Sequence, residues 1–401
     1  MRRNLVHMDM TIQDSLAKIN QELGKLSETP TLDAQVLVAH IIGKPRSWVL
    51  AHPEITLSEE QQQNLERALR RLQRGEPLPY VIGHWEFFGL DLYLTPDVLI
   101  PRPETELLVE RGLTWLRSHP KRRKAVDVGT GCGCIAIALA VNIPDLRILA
   151  TDVSPNALVI AKSNAEKHGV IDRTEFTQAD LLEGIPGPFD IICANLPYIP
   201  TNKLRKLKVY RREPSLALDG GMGGIEAIDK LLDQGVSRLT SGGCMLLEIE
   251  ASQGAEVKSL AQAHYPGAHV QVLKDLAGRD RCVEIERESL IVHLCRRQDW
   301  LAAQEAGEYR TESLDRIGFI HCSQPEQILR VANKYYREIP DPVLVWIDPE
   351  RVNAEVRWEA AEGELFPHVY GPLNLEAFVS VTELSPDADG TYRKINASDQ
   401  T

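Results

Sequence analysis

The chain has 401 residues, with 45 Lys and Arg against 57 Asp and Glu and a formal net charge of −12. Hydrophobic residues make up 43% and charged residues 25%, which excludes collagenous, fibrous and disordered chains. At roughly 100–200 residues per domain, this length predicts two or three domains. No apolar run approaches the roughly 18 residues of a membrane-spanning helix. No apolar stretch follows Arg2 and Arg3 as in a secretory signal, so we expect a cytoplasmic protein.

The seven cysteines are odd in number and mostly scattered. Cys132 and Cys134 are too close together for the usual CxxC clamp. Others adjoin apolar runs, as Cys193 does, so we expect most cysteines to be buried as small hydrophobic side chains. No metal site is predicted.

The acidic charge is uneven. From residue 290 onward there are 11 Lys and Arg and 19 Asp and Glu. The first 289 residues contain 34 Lys and Arg and 38 Asp and Glu. Neither part has the basic balance that is typical of a duplex DNA-binding protein. Composition therefore argues against direct binding to nucleic acid.

Residues 1–75 predict a helical bundle. A second apolar run at 36–42 and a third helix at 58–72 follow a first amphipathic helix. We expect this bundle to dock a protein substrate; the alternative is a packing domain with no chemistry. The first helix has five apolar residues on one face, at steps of three and four: Ile12, Leu16, Ile19, Leu23 and Leu26.

Residues 76–102 predict a β-hairpin linker, because three runs of strand-type composition at 80–82, 85–88 and 90–94 are separated by glycines. In 103–287, strands alternate with helices, which indicates an α/β sheet with mainly parallel strands. The last two strands are close enough in sequence to form an antiparallel edge hairpin. The predicted strands are 125–128, 147–151, 174–178, 190–194, 244–249, 270–273 and 282–286.

Residues 289–385 predict a separate α+β domain, and the polar tail at 386–401 is expected to be mobile. The domain has predicted strands at 290–294, 343–347, 356–358 and 377–381, and predicted helices at 298–306 and 325–336.

A glycine-rich turn follows the first strand of the α/β sheet. Gly129, Gly131 and Gly133 let the backbone approach a ligand without a Cβ clash. The spacing GxGxG differs from the dinucleotide fingerprint GxGxxG, so the ligand need not carry a pyrophosphate. A purely structural tight turn is the alternative.

Two carboxylates follow the next two strands. Asp152 ends the second strand, where a carboxylate can accept hydrogen bonds from ribose hydroxyls. Asp180 ends the third strand and could accept from the exocyclic amine of adenine. Each Asp alone is more often a helix cap. Three successive strand ends, all at the carboxyl edge of the sheet, together favour a nucleoside cofactor.

The fourth strand ends in Asn195-Leu-Pro-Tyr198. An amide nitrogen is a poor nucleophile, so an enzyme that methylates one must hold its NH₂ group toward the methyl donor. Asn195 Oδ1 and the carbonyl of Leu196 can each accept one N–H, and Pro197 restricts where that carbonyl points. Tyr198 offers a flat face to a planar group. The alternative is an ordinary Asn-x-Pro turn.

Residues from about 10 to 287 resemble the release factor glutamine methyltransferase family, also called the HemK or PrmC family. The family motif has Pro where this chain has Leu196, which bears on the rigidity of the loop. The matching residues are Asp127-Val-Gly-Thr-Gly-Cys-Gly133, Asp152, Asp180, Asn195-Leu-Pro-Tyr198, Gly83, Glu86-Phe87, Ile100-Pro-Arg-Pro-Glu-Thr-Glu106 and Gly278-Arg-Asp280.

The resemblance implies a Rossmann-like methyltransferase sheet, with S-adenosylmethionine as methyl donor and the Gln of the Gly-Gly-Gln loop of peptide-chain release factors as acceptor. It implies that Asn195, Leu196, Pro197 and Tyr198 hold the glutamine amide. The cofactor would be bound by Asp127, Gly129, Thr130, Gly131, Cys132, Gly133, Asp152, Asp180, Leu181 and Asn195.

The C-terminal domain resembles a small uncharacterised bacterial family that is thought to be distantly similar to the ADP-ribosyltransferase fold. Its candidate residues for a polar pocket of unknown ligand are His293, His321, Ser323, Glu364 and His368. The alternative is that its histidines are structural.

Two other functions remain open from sequence. The same Asn-Pro-Pro-Tyr type of motif occurs in adenine-N6 nucleic-acid methyltransferases, although the composition shows no basic target-recognition region. A chain that only binds the cofactor, as a scaffold for the C-terminal domain, is the other alternative; intact Asn195 and Tyr198 argue against it.

Overall fold

The computed structural model describes residues 10–337, 340–361, 364–387 and 389–395. Within these ranges, no helix is both long enough and apolar enough to cross a membrane. The chain forms two compact units. The first contains Met1–Thr114, Asp127–Leu181 and Ala194–Ile228, and the second contains Trp115–Val126, Leu182–Cys193 and Asp229–Thr401.

The N-terminal residues form the expected helical bundle. Thr11 starts the first helix with a capping box, because its Oγ1 accepts from the N–H of Asp14. Ile12, Ile19 and Leu23 are buried as their spacing predicts, but Leu26 lies beyond the end of the helix and is half exposed. The helices are α1 (Ile12–Leu23), α2 (Pro30–Ile42), α3 (Arg46–Ala51), α4 (Glu59–Gln73) and α5 (Leu78–Ile82).

The linker differs in part from the prediction. Residues 80–82 belong to α5 rather than to a strand, because the Arg71 guanidinium donates to the carbonyl oxygens of Tyr80 and Val81. Gly83, with φ +79°, then ends the helix. The hairpin itself is confirmed: β1 (His84–Phe87) and β2 (Leu90–Tyr93) pair antiparallel.

The central sheet has the strand order β5-β4-β3-β6-β7-β9-β8 within the described residues. β4 and β5 are parallel, and β9 is antiparallel to both β7 and β8, so the predicted edge hairpin is confirmed. The strands are β3 (Lys124–Val128), β4 (Arg147–Asp152), β5 (Thr174–Gln178), β6 (Phe189–Ala194), β7 (Leu239–Glu248), β8 (His269–Lys274) and β9 (Asp280–Glu286).

Helices precede the sheet and connect its strands. A 3-10 turn at Pro103–Thr105 precedes the first of them, and two more lie at Ile171–Arg173 and Ser215–Ala217. The helices are α6 (Glu106–Ser118), α7 (Cys134–Asn142), α8 (Pro155–Lys167), α9 (Thr201–Leu204), α10 (Glu226–Val236) and α11 (Gly254–His264).

The C-terminal domain is α+β, as predicted. Its strands form antiparallel sheets in the orders β10-β13-β17, β12-β15-β14 and β11-β16. Its strands are β10 (Ile291–Arg296), β11 (Glu308–Tyr309), β12 (Ile320–His321), β13 (Pro342–Ile347), β14 (Glu355–Ala361), β15 (Glu364–Tyr370), β16 (Leu373–Asn374) and β17 (Phe378–Glu383).

The helices of this domain are short, and 3-10 turns occur at Pro325–Gln327, Pro349–Arg351 and Leu375–Ala377. The first of these turns occupies the start of the helix predicted at 325–336. The helices are α12 (Arg297–Ala306), α13 (Glu312–Ile317) and α14 (Ile328–Tyr335).

The tail is expected to be mobile; of its described residues most are exposed, but one is packed against the domain. Tyr392 is buried among apolar residues of the domain. The Asn333 side-chain amide donates to the carbonyl oxygen of Tyr392 at 2.7 Å and accepts from the N–H of Tyr392 at 2.9 Å. These two hydrogen bonds hold the backbone of Tyr392 in place. Residues 396–401 lie outside the described residues.

Candidate active site

The glycine turn after β3 needs its glycines. Gly129, Gly131 and Gly133 have φ values of +71°, +56° and +85°, in the left-handed region that favours glycine. A Cβ at Gly133 would lie 2.9 Å from Ile137 Cδ1, whereas a Cβ at Gly131 would meet nothing within 4 Å. The backbone at Gly131 therefore borders open space that a ligand could enter.

Asp127 lies within β3 and is fully buried. One carboxyl oxygen accepts from Thr130 Oγ1 at 2.6 Å and from the N–H of Ala136 at 3.1 Å. The other oxygen has no hydrogen-bond partner among the described residues. Burial raises the pKa of Asp127 to about 7, although the two hydrogen bonds act in the opposite direction. Through these two hydrogen bonds, the Asp127 carboxyl links the glycine turn to the first residues of α7.

Asp152 ends β4 beside the same turn. Its two carboxyl oxygens accept from the N–H of Gly131 at 2.9 Å and from that of Ser154 at 2.8 Å. Burial raises the pKa of Asp152 above its ordinary value. Each carboxylate oxygen has two lone pairs, so both can still accept from a ligand.

Asp180 and Leu181 follow β5, which is the neighbour of β4 in the sheet. The Asp180 side chain is exposed. Leu181 has φ +57°, and its carbonyl accepts from Thr151 Oγ1 at 3.1 Å. The ends of β3, β4 and β5 thus adjoin, as the sequence predicts.

Asn195 lies immediately after β6, and its amide orientation is fixed. Asn195 Nδ2 donates to Thr105 Oγ1 at 3.1 Å, and Thr105 is buried. With the NH₂ group engaged there, Oδ1 is the acceptor left for another group. Asn195 borders a cavity of about 230 Å³, whose other lining residues are Leu99, Arg102, Leu196, Tyr198, Ile199, Leu207, Val209, Ala217 and Leu218.

The loop from Asn195 to Tyr198 rests on two glycines. A Cβ at Gly220 would lie 2.8 Å from the carbonyl oxygen of Pro197, and one at Gly224 would lie 2.6 Å from that of Tyr198. Glu226 holds this turn, because its carboxylate accepts from the N–H groups of residues 223–225 at 2.8–3.0 Å. These bonds lower the pKa of Glu226.

Leu196, the departure from the family motif, packs inward. It is buried, and a Cβ added to Gly129 would lie only 3.1 Å from Leu196 Cδ2. The leucine side chain therefore fills space beside the glycine turn, while the backbone carbonyl of Leu196 remains part of the loop from Asn195 to Tyr198.

Sequence reasoning did not single out Thr105, Gly220 or Gly224. Thr105 stands in the Pro-Arg-Pro-Glu-Thr-Glu stretch, which supported the resemblance but gave no role to its hydroxyl. The two glycines give no signal of their own, because only the fold shows which backbone they approach.

A basic segment adjoins the loop. Within 203–212 all six cationic side chains are exposed, and they are Lys203, Arg205, Lys206, Lys208, Arg211 and Arg212. The charge averaged over long regions of the sequence predicts no basic region. Acidic residues elsewhere in the first 289 positions conceal this local patch.

The C-terminal candidates divide between two places. His321, Ser323 and His368 line one cavity of about 500 Å³. Glu364 accepts from Arg330, another lining residue, at 2.6 Å. His293 does not line this cavity: it is buried, and its ring nitrogens lie 2.6 Å from the carbonyl oxygen of His321 and 2.9 Å from Tyr309 Oη.

Burial lowers the pKa of His293 to about 4, so its ring is neutral at pH 7. His293 lines a second cavity, of about 770 Å³, which His321 also borders. In the described residues, no three or more His, Cys, Asp and Glu side chains are grouped as a metal ion would require. Six of the seven cysteines are buried with free thiols, as the sequence predicts for most of them.

Three family models match the chain. The PrmC N-terminal domain matches residues 14–83, the methyltransferase small domain matches residues 104–211, and a protein family of unknown function, DUF952, matches residues 294–381. The first match covers most of the helical bundle, the second covers β3 to β6 of the central sheet, and the third lies in the C-terminal domain.

Solved structures give weaker likenesses. A Caulobacter crescentus protein is 33% identical and covers 26% of this chain and 93% of its own, with a TM-score of 0.25. A ribosomal protein L11 methylase from Lactobacillus delbrueckii is 24% identical and covers 47% and 80%, with a TM-score of 0.36.

Curated relatives are much more similar. The release factor glutamine methyltransferase of Coxiella burnetii is 39% identical over 69% of this chain and 99% of its own length. That of Moorella thermoacetica is 42% identical over 68% and 97%. Identity at this level across nearly the whole of each relative shows that the chain belongs to the release factor glutamine methyltransferase family.

Proposed function

We propose that this chain transfers a methyl group from S-adenosylmethionine to the side-chain amide nitrogen of the Gln in the Gly-Gly-Gln loop of peptide-chain release factors. The observation that carries the proposal is the oriented amide of Asn195 at the edge of a mostly apolar cavity. Relatives that are named for this reaction support the choice of substrate.

The glycine turn and the strand ends beside it fit the cofactor. Gly131 leaves the backbone open to a ligand, and the Asp152 carboxylate beside it is an acceptor for ribose hydroxyls. Asp180 and Leu181, at the next strand end, flank the adenine. Thr130 and Cys132 complete the turn with Gly129 and Gly133. Asp127 is too deeply buried for direct contact, and we assign it to holding the turn.

An Asp152→Ala variant tests this half of the site. Loss of hydrogen bonds to a charged group should weaken S-adenosylmethionine binding by about 1.5–3 kcal/mol. Isothermal titration would measure the affinity. An unchanged affinity would remove Asp152 from the cofactor site.

When bound, S-adenosylmethionine supplies an electrophilic methyl group. Asn195 Oδ1 and the carbonyl of Leu196 accept the two N–H groups of the substrate amide, so its nitrogen faces that methyl group. Tyr198 packs against the amide plane. Orientation supplies much of the rate acceleration, and the proton leaves after the methyl transfer, so no strong base is required.

The cavity suits an uncharged acceptor. Its cation, Arg102, forms an ion pair with the buried carboxylate of Glu213, which also accepts from the N–H of Ile100 at 3.1 Å. The charge that faces the cavity is therefore compensated within the protein. A neutral glutamine amide enters such a site at lower cost than a carboxylate.

The N-terminal helical bundle, residues 1–75, is the part of the chain that we propose docks the release factor. It contributes none of the residues assigned to the cofactor or the amide, and the PrmC N-terminal domain model matches residues 14–83.

Methyl transfer from labelled S-adenosylmethionine to a purified release factor tests the proposal, with a Gln-to-Ala loop variant of the factor as control. We expect label on the wild-type factor only. Asn195→Ala should lose most turnover while it keeps much of its cofactor affinity. Label on both factors, or turnover unchanged by Asn195→Ala, would contradict the assignment.

The basic segment at 203–212 favours one second candidate, an adenine-N6 nucleic-acid methyltransferase, because exposed cations beside the site could contact phosphates. The two functions separate in the same assay with RNA and DNA as acceptors. Label on nucleic acid, lost on charge reversal at Arg205 and Lys206, would favour this candidate over the protein substrate. No label on any acceptor would favour a cofactor-binding scaffold.

A further inference from the structure

The C-terminal domain has more than one cavity, and the one beside α14 is lined by none of the residues assigned to methyl transfer. It has a volume of about 500 Å³, within the usual range for small-molecule sites. Side chains of α14 and of the sheet β12-β15-β14 surround it. Its aromatic lining residues are Tyr335, Tyr336 and Phe366, and its polar lining residues are His321, Ser323, Arg330, Lys334 and His368.

The charge of the cavity opposes that of its domain. From residue 290 onward the chain has 11 Lys and Arg against 19 Asp and Glu. Both charged residues that line the cavity are nevertheless cations, Arg330 and Lys334, one turn apart on α14. Glu364 pairs with Arg330 at 2.6 Å from outside the lining, which leaves the arginine other N–H donors.

His368 is held in a defined orientation. Its Nδ1 lies 2.5 Å from Glu359 Oε2, and Tyr370 Oη donates to the same carboxylate at 3.0 Å. A carboxylate only accepts, so Nδ1 carries a proton, and in the neutral ring Nε2 is the acceptor. Phe319 stacks on the imidazole at a centroid distance of 4.2 Å and fixes its plane.

We propose that this cavity binds a small aromatic organic anion, whose anionic group contacts Arg330 and Lys334 and whose hydroxyl or N–H donates to His368. The anionic group binds beside these two cations of α14, and the ring lies among Tyr335, Tyr336 and Phe366. The hydrogen bond to Nε2 selects ligands that carry a donor. This site is separate from the proposed methyl transfer and stands or falls independently of it.

Calorimetric titration of the full chain tests the proposal with four probes: phenyl phosphate, benzoate, 4-hydroxybenzoate and neutral benzyl alcohol. We expect 1:1 binding of the aromatic anions and none of benzyl alcohol. Comparison of phenyl phosphate with benzoate tells whether the anionic group is a phosphate or a carboxylate. 4-Hydroxybenzoate should bind more tightly than benzoate, and His368→Gln should abolish that preference.

Arg330→Gln should weaken anion binding about tenfold, the effect of losing one charge-assisted contact. Arg351→Gln is the matched control, since Arg351 is an exposed arginine of the same domain that pairs with Asp348 and does not line the cavity. Absence of anion binding at 10 mM probe would overturn the proposal. An equal loss in the Arg330 and Arg351 variants would do so too, because it would indicate a general charge effect.

Discussion

A carboxamide side chain has one donor edge and one acceptor edge, and its function depends on which edge faces the substrate. In this chain the hydroxyl of Thr105 engages the NH₂ group of Asn195. Thr105 does not line the cavity beside Asn195 and is buried, so it acts through Asn195 as a positioning residue.

A Thr105→Val variant removes the hydroxyl and keeps the side-chain shape. We expect kcat for methyl transfer to fall about tenfold, the rate equivalent of one lost hydrogen bond. Cofactor affinity should change little, because the Thr105 hydroxyl acts on the amide of Asn195 and is not among the residues assigned to the cofactor. Steady-state kinetics and titration of S-adenosylmethionine would measure the two effects separately.

Thr105→Ser is the conservative control and should recover most of the lost kcat, since it restores the hydroxyl. A Val variant with wild-type kcat would show that the amide of Asn195 keeps its orientation without this bond.

Asp127 predicts a pH dependence of stability. Burial raises its pKa to about 7, so between about pH 4 and pH 7 the folded state binds more protons at this carboxyl than the unfolded state does. Its contribution to the free energy of unfolding therefore falls as pH rises through that window. The Asn side chain of Asp127→Asn can still accept from Thr130 but does not ionise.

Thermal unfolding at pH 5 and pH 8 would measure this effect. The melting temperature of the wild type minus that of Asp127→Asn should be more positive at pH 5 than at pH 8. Asp180→Asn, at an exposed carboxyl, is the control and should show a much smaller change. An equal difference at both pH values would mean that Asp127 stays ionised when buried.

At the scale of elements, the loop after β6 depends on the turn that precedes α10. Gly224 has φ +85°, and an added Cβ would lie 2.6 Å from the carbonyl oxygen of Tyr198. Gly224→Ala should therefore displace the loop, destabilise the fold by about 1–3 kcal/mol and abolish most methyl transfer.

Gly278→Ala separates the steric clash from backbone strain, because Gly278 has a similar φ of +76° but its added Cβ would meet nothing within 4 Å. Urea unfolding and the methyl-transfer assay would be applied to both variants. Comparable losses of activity in the two would contradict the proposed role of the contact with Tyr198.

Elements that follow from local pattern could be predicted. The alternation of strand-type and helical segments identified the strands of the central sheet, and the short spacing of β8 and β9 predicted their antiparallel pairing. α3 was not predicted because six residues are too few to show a helical period. β15 was not predicted as a strand, because its two polar ends conceal the buried centre at 367–369.

The cofactor half of the candidate site could be predicted for the same reason. Gly131, Asp152 and Asp180 each follow a recognisable strand, and parallel strands bring their ends to one edge. Thr105 could not be predicted, since 90 positions separate it from Asn195. The C-terminal pocket was predicted only in part. Strand pairing places His321 opposite His368, and both line one cavity, whereas His293 lines a different cavity.

At the scale of the whole molecule, the segment that leads from the central sheet into the C-terminal domain is bound in place. The hydroxyl of Ser241, on β7, accepts from the N–H of Leu290 at 2.7 Å and lies 3.0 Å and 2.9 Å from the carbonyl oxygens of Glu288 and Leu290. The N–H of Ser241 donates to Glu326 Oε1 at 2.8 Å. Hydrogen bonds therefore tie β7 both to the connecting segment and to the C-terminal domain.

Ser241→Ala removes the hydroxyl that binds this segment and keeps the backbone bond to Glu326. Loss of these hydrogen bonds should cost roughly 1.4 kcal/mol. The fraction of molecules in which residues 287–290 are detached from β7 should therefore rise about tenfold. Trypsin should then cleave after Arg287 correspondingly faster, while methyl transfer by the intact chain stays unchanged. Ser237→Ala, at an exposed serine that precedes β7, should leave the cleavage rate as it is. Equal cleavage rates for wild type and Ser241→Ala would mean that backbone contacts alone, such as that of Gly242 N–H with the carbonyl of Glu288, hold the two domains together.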